Sequence, residues 1–269
     1  MSDRRRLTGP ANLIKPNIPE IVSNIDNKNQ ENTNSTSSIP SFFIKHAIIN
    51  NANGSAYLEI NNTIIEVSIF GPRPIRGSFI ERGSLSVECK FLNHIIQPMQ
   101  DSEPSKTGMS NIEHRLSSYL ESCILPCILL EKYPKSTIDI QVSIISIDKS
   151  MVNSKSNSSL LWLMNWIVIC TSIALIDSKI EIKDVISSGQ IKLTRNGKIK
   201  IGIEDDEVEE CIDALISFMN LRNDEIVGIW LEGNQSNLTE SEMSLIIDEC
   251  NKMSKIIRAN MNSYLINNI

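Results

Sequence analysis

The chain has 269 residues, 41% apolar and 22% charged, with a formal net charge of −6 and a pI near 5.2. That length buries a substantial core as one large domain or two small ones. The acidic balance excludes a free-standing nucleic-acid binder with a basic stripe, so any RNA or DNA contact must be local or shared with partners. Six cysteines (Cys89, Cys123, Cys127, Cys170, Cys211, Cys250) include no C-x-x-C pair. They are expected to be buried small hydrophobes, reduced and intracellular, and not a disulfide framework or zinc set.

The chain opens MSDRRRLTGP, a basic start with no apolar run behind it, so no signal peptide is expected. Residues 17–41 are Asn- and Ser-rich with few apolar anchors, which predicts a disordered spacer. Residues 1–41 are thus expected to be an N-terminal extension and 42–269 the folded domain.

Strand signals start near Phe42. Ala56, Leu58 and Ile60 alternate with polar residues, and Asn61-Asn62 supplies a two-residue turn that tolerates positive φ. Ile65, Val67 and Ile69 line one face of the return strand, which ends in a Gly-Pro-Arg-Pro corner. Residues 83–92 form another candidate strand, and 94–108 a polar loop. Ile112, Leu116, Leu120, Cys123, Ile124, Cys127 and Ile128 then repeat every three or four positions, predicting a helix that Pro126 should kink without stopping.

The β-branched run at 137–147 predicts a buried strand. Residues 160–176 are nearly continuously apolar. A membrane span needs ~20 such residues, and Asn165, Thr171 and Ser172 interrupt this shorter run. A buried central helix is therefore expected. Strands at 190–195 and 198–203 flank an Asn196-Gly197 hairpin turn, and 211–218 and 226–231 continue the sheet. Thr239 and Glu242 form a capping box for a last helix, whose apolar face runs Met243, Ile246, Ile247, Cys250, Met253, Ile257, Met261 and Tyr264. Leu238, before the cap, is placed to staple onto Met243. The element order is α+β, mixed sheets with packed helices in two related halves.

Four stretches together resemble the RNase PH superfamily, and within it the ring subunits of the eukaryotic RNA exosome: GSAYLE through GPRPIRGS, IEHRL through YPKSTIDIQV, ALIDSKIEIKDVI, and LTESEM. They span about residues 42–265 in the family's order. The N-terminal DRRRLTGP resembles the opening of one non-catalytic ring subunit. The resemblance implies a hetero-oligomeric ring of RNase PH-like subunits topped by cap subunits, through which RNA threads to an associated nuclease. It also implies a place in the nucleus, nucleolus and cytoplasm.

Active members of that superfamily cleave RNA from its 3′ end with phosphate, which requires clustered arginines and a Gly-Gly-Ser/Thr loop at a helix start. This chain reads IDKSMVNSKSNSSLLW at the loop, with no glycine between Met109 and Ser188. Between Arg82 and Arg195 its sole arginine is Arg115. Ser154, Lys155, Ser156 and Ser158 stand where an anion would be held, or where a simple helix cap would be. Asp213 falls at the family's catalytic aspartate and Glu207 at a second acid, a pair that alone would suit a magnesium ion or general acid. The acidic run at 204–210 reads equally as a solvated face.

The expectation is therefore a non-catalytic chain with no cofactor and no metal, in which Asp213 and Glu207 are vestigial. The alternative is a phosphate-dependent 3′ exoribonuclease with a rebuilt phosphate site. Arg73 and Arg76 are the candidates for an RNA path, or for interface arginines paired with a partner's acids. His46, His94 and His114 lack a nucleophile at any recognisable spacing and read as surface or structural.

Overall fold

A computed structural model describes residues 39–268 except 78, 96, 99–108, 149–157, 195–198, 202–210, 222 and 234–237. All of these fall in one compact unit, Thr36–Ile269. The basic motif and nearly all of the predicted spacer lie outside the described residues.

The first sheet contains β1 (Phe42–His46), β2 (Gly54–Ile60), β3 (Thr63–Pro74), β4 (Ser84–Phe91) and β5 (Ser136–Ser146). Its order is β1-β2-β3-β5-β4, with only β4 and β5 parallel. The β2–β3 turn is the expected pair: Ile60 faces Thr63, and Asn61 has φ of 49°. The second sheet contains β6 (Ile186–Thr194), β7 (Ile199–Lys200), β8 (Cys211–Met219) and β9 (Glu225–Gly233), all antiparallel in the order β7-β6-β8-β9. The Asn196-Gly197 turn falls outside the described residues, but Leu193 pairs with Ile199 around it.

Among the described residues three α-helices accompany the sheets: α1 (Asn111–Ile124), α2 (Ser158–Asp177) and α3 (Glu240–Asn268). The α2 helix packs on β1, β2 and β3 and also on β6 and β8. Apolar contact on both sides explains why its sequence has no polar stripe: every residue from Ser158 to Leu175 is buried. By length and composition α2 could cross a membrane, yet 94% of its apolar window is buried inside the protein.

Polar hydrogen bonds stitch helices to sheets. Glu113 closes the capping box with Ser110 and accepts the Phe91 N–H at 2.9 Å, while the Ser117 hydroxyl accepts the Cys89 N–H at 2.9 Å. These bonds lay α1 along β4. At the other end of the chain, the Thr239–Glu242 box starts α3 as predicted, with Thr239 N–H donating to Glu242 at 2.9 Å. The α3 helix buries Ile246, Cys250, Met253, Ile257 and Met261 against the second sheet and the central core.

The Gly-Ser start of β2 has a packing cause. A Cβ on Gly54 would lie 2.3 Å from the Ser178 nitrogen, so only glycine lets the end of α2 approach this closely. Ser55 beside it accepts the N–H groups of Ile48 and Ile49 at 2.9 Å each, and its own N–H donates to Asp177 of α2 at 2.9 Å.

Three expectations need correction. Pro126 ends α1 instead of kinking it: the helix stops at Ile124 and residues 125–127 turn toward a bridge between Ile128 and Ile182, because proline has no N–H to continue the ladder. The β5 strand is half-buried, with Ile138, Ile140, Val142 and Ile144 inside and Gln141 exposed. The β6 strand begins at Ile186, four residues earlier than expected, and is buried throughout because α2 and α3 cover its two faces.

The cysteines are buried except the half-buried Cys211, and all six are free thiols. Burial pushes the thiols of Cys89 and Cys250 up to about 12, and those of Cys123 and Cys127 up to about 11, as expected of small hydrophobes.

A buried ion pair locks α3 to the entry of β6. Both Nη atoms of Arg258 donate to the Asp184 carboxylate, which also accepts the N–H groups of Val185 (2.7 Å) and Leu221 (2.9 Å). Burial is the largest single influence on Asp184 and pushes its pKa up. The hydrogen bonds and the Arg258 charge together outweigh it and hold the carboxyl below its ordinary 3.8. Asp184→Asn is predicted to cost about 1–3 kcal/mol at pH 7, since the half-buried guanidinium and two backbone N–H groups lose a charged acceptor. A depressed folded pKa places this stabilisation above pH ~4, where unfolded aspartate ionises. The difference between wild type and variant in urea melts should therefore shrink as pH falls below 4.

Candidate functional site

The Gly-Pro-Arg-Pro corner closes β3. Gly71 has φ of 119° and donates its N–H to the Asn53 side chain at 2.9 Å, and a Cβ there would meet the Thr137 carbonyl at 2.5 Å. The corner therefore needs glycine for both conformation and space. Arg73 turns back over it: its Nη2 lies 2.8 Å from Asp139 Oδ2, and its guanidinium sits 5.4 Å from the Phe70 ring centroid. Arg76, three residues on, is exposed and has no ion-pair partner among the described residues.

Asp213 lies on the other sheet. Register places it on β8 between Lys192 of β6 and Glu232 of β9. It is only 4% exposed, and the Ser158 hydroxyl at the start of α2 donates to its Oδ2 at 2.5 Å. Glu232 is held separately: its Oε1 accepts from Arg115 of α1 and, at 2.8 Å, from the Trp230 indole N–H. The Arg115 guanidinium stacks 5.2 Å from the Trp230 ring. The only arginine between Arg82 and Arg195 is thus occupied by a glutamate and an indole.

The Ser158–Asp213 bond ties the start of α2 to β8 inside the fold. Glu207 and residues 154–156, the other candidates for an acid pair and an anion site, lie outside the described residues. Among the described residues, no group of three metal-ligating side chains occurs.

The histidines sit at structural positions. His46 donates its backbone N–H to the Tyr264 hydroxyl at 3.1 Å, and its Nδ1 lies 2.8 Å from the same oxygen. His94 Nε2 lies 3.0 Å from the Ile145 carbonyl. His114 lines a shallow cleft of about 340 Å³ with Arg115, Ser118, Tyr119 and Trp230. The Lys192–Asp213–Glu232 line and the Arg115 contact were not foreseen; the alternation on β9 that puts Trp230 and Glu232 two apart was their only sequence signal.

Fold and site define a class, and the chain belongs to it: the 3′ exoribonuclease (RNase PH) family, whose domain-1 model matches residues 39–181, more than half of the chain. Among curated relatives, the exosome complex component mtr3 of Schizosaccharomyces pombe is 26% identical over 99% of this chain and 96% of its own length. The exosome complex component MTR3 of Chaetomium thermophilum is 26% identical over 91% of this chain and 90% of its own. Among solved structures, rice Rrp46 superposes with a TM-score of 0.67 at 18% identity, covering 87% of this chain and 98% of that one.

Ser158→Ala is predicted to destabilise the chain by about 1–3 kcal/mol, the cost of leaving a buried carboxylate oxygen without its donor. Urea denaturation should show a lower midpoint at an unchanged m-value.

Proposed function

We propose that this chain is a non-catalytic structural subunit of an RNA exosome core ring. It supports 3′-to-5′ RNA processing and degradation, including rRNA maturation and mRNA turnover, by helping to build the channel through which RNA passes. Its partners are other RNase PH-like ring subunits, cap subunits, the RNA in the channel and an associated nuclease, in the nucleus, nucleolus and cytoplasm. Residues 1–41 act as an N-terminal extension of the ring domain.

The near full-length similarity to two exosome components carries the proposal. The site chemistry supports the lack of activity. Phosphorolysis needs a general acid or metal ligand facing two anions held by arginines and backbone N–H groups. Here the carboxylate at the matching position is buried under Ser158, the one arginine between Arg82 and Arg195 in the sequence is held by Glu232, and no glycine stands between Met109 and Ser188. Arg76 remains the better candidate for an RNA phosphate, since Arg73 is engaged by Asp139 and Phe70.

The experiment incubates purified chain, alone and with ring partners, with single-stranded RNA and inorganic phosphate. No nucleoside diphosphate attributable to this chain should be released. Release that disappears on Asp213→Ala would establish the alternative, a phosphate-dependent 3′ exoribonuclease.

A further inference from the structure

The β1 strand lies at the edge of the first sheet and pairs only with β2. At its end the His46 N–H turns away from β2 and donates to the Tyr264 hydroxyl of α3 at 3.1 Å. Backbone groups alternate in direction along a strand, so the N–H and C=O groups of Phe42 and Ile44 also point away from β2. Among the described residues nothing takes them up.

A cleft of about 550 Å³ separates that free edge from α3. Phe42 and Ile44 line its strand side, and one stripe of the helix, Ile256, Asn260 and Tyr264, lines the other. The two sides match in length: Phe42 to His46 spans ~13 Å of strand, and Ile256 to Tyr264 ~12 Å of helix. Ile256 is 54% exposed there, and Phe43 is 56% exposed on the opposite face of the sheet. An unpaired edge beside a helix, with apolar groups between them, accepts one more strand, backbone to backbone. The charges select that strand. The chain has a net charge of −6, yet no Asp or Glu occurs from Ile39 to Leu58 or from Cys250 to Ile269. Lys45, exposed on the same face as Phe43, has no ion-pair partner among the described residues. Glu59, the acid diagonal to it on β2, accepts from the Tyr57 hydroxyl at 3.1 Å.

We propose that this cleft binds an extended, acidic segment of a partner protein, which adds to β1 as a further strand of the first sheet. Its backbone pairs with Phe42 and Ile44. On one face of the segment, apolar side chains enter the cleft against Ile44 and Ile256. On the other face, acidic side chains meet Lys45. Period-two alternation of apolar and acidic residues is therefore the pattern the site selects. The site lies wholly within this chain and does not rest on the ring assignment.

The test titrates the full-length chain into a short fluorescein-labelled peptide that alternates valine with glutamate, read by fluorescence anisotropy. Saturable binding is expected. The same peptide methylated on its backbone nitrogens, or carrying lysine in place of glutamate, should bind about tenfold or more weakly. Ile256→Glu should weaken binding of the glutamate peptide by a similar factor, and Lys45→Glu should reverse the preference, so that the lysine peptide binds the tighter. Both side chains are exposed, so neither substitution removes a core contact. No saturable binding by the wild-type chain, equal affinity for the two peptides, or undiminished binding by Ile256→Glu would overturn the proposal. A benzophenone side chain placed at position 256 identifies the occupant on irradiation. Attachment to the glutamate peptide is expected; attachment instead to a second copy, or to residues 1–35 of the same chain, would overturn the proposal.

Discussion

The structure depends on burying α2 on all sides. A helix whose residues Ser158 to Leu175 are inaccessible to solvent has to be enclosed by two layers, and the two sheets supply them. Its apolar circumference leaves few polar handles for orientation: Asn165 and Ser172 bond to β6 along its length, and both ends are tied to the sheets. Ser158 donates to Asp213 of β8 at one end, and Asp177 accepts from the Ser55 N–H of β2 at the other. One end is thus tied to the second sheet and the other to the first. Gly54 completes the arrangement by letting β2 approach within a distance that any side chain would prevent.

This constraint bears on chemistry. The start of α2 is an attachment point, where Ser158 donates to Asp213 of β8. A buried carboxylate bonded to a buried hydroxyl contributes to stability and specificity of packing. The register sets one cation and two acids, Lys192, Asp213 and Glu232, side by side across β6, β8 and β9, and Arg115 pairs with Glu232 at the α1 surface.

Much of the fold was legible because local signals agreed with tertiary demand. Asn61-Asn62, the Thr239–Glu242 box and the apolar run of α2 each specify one local structure, and each is where expected. The misses have physical causes. The ISSG start of β6 looks too polar for a strand buried on both faces, yet Ser187 pairs with Ser254 and Ser188 with Asn165, so the hydroxyls are satisfied by residues far away in sequence. Pro126 was judged by local periodicity, which continued past it to Cys127 and Ile128; those side chains are buried because the chain turns there, not because the helix persists. At the candidate site the burial of Asp213 and the capture of Arg115 by Glu232 arise from pairings between strands and helices that no local pattern encodes.

Isolation of the tagged full-length chain from its own cells, with mass spectrometric identification and stoichiometry of what accompanies it, tests the central claim most directly. The account predicts a single particle in which this chain is present once, together with other RNase PH-like subunits. Recovery as a monomer, or as a homo-oligomer free of other RNase PH-like chains, would contradict it.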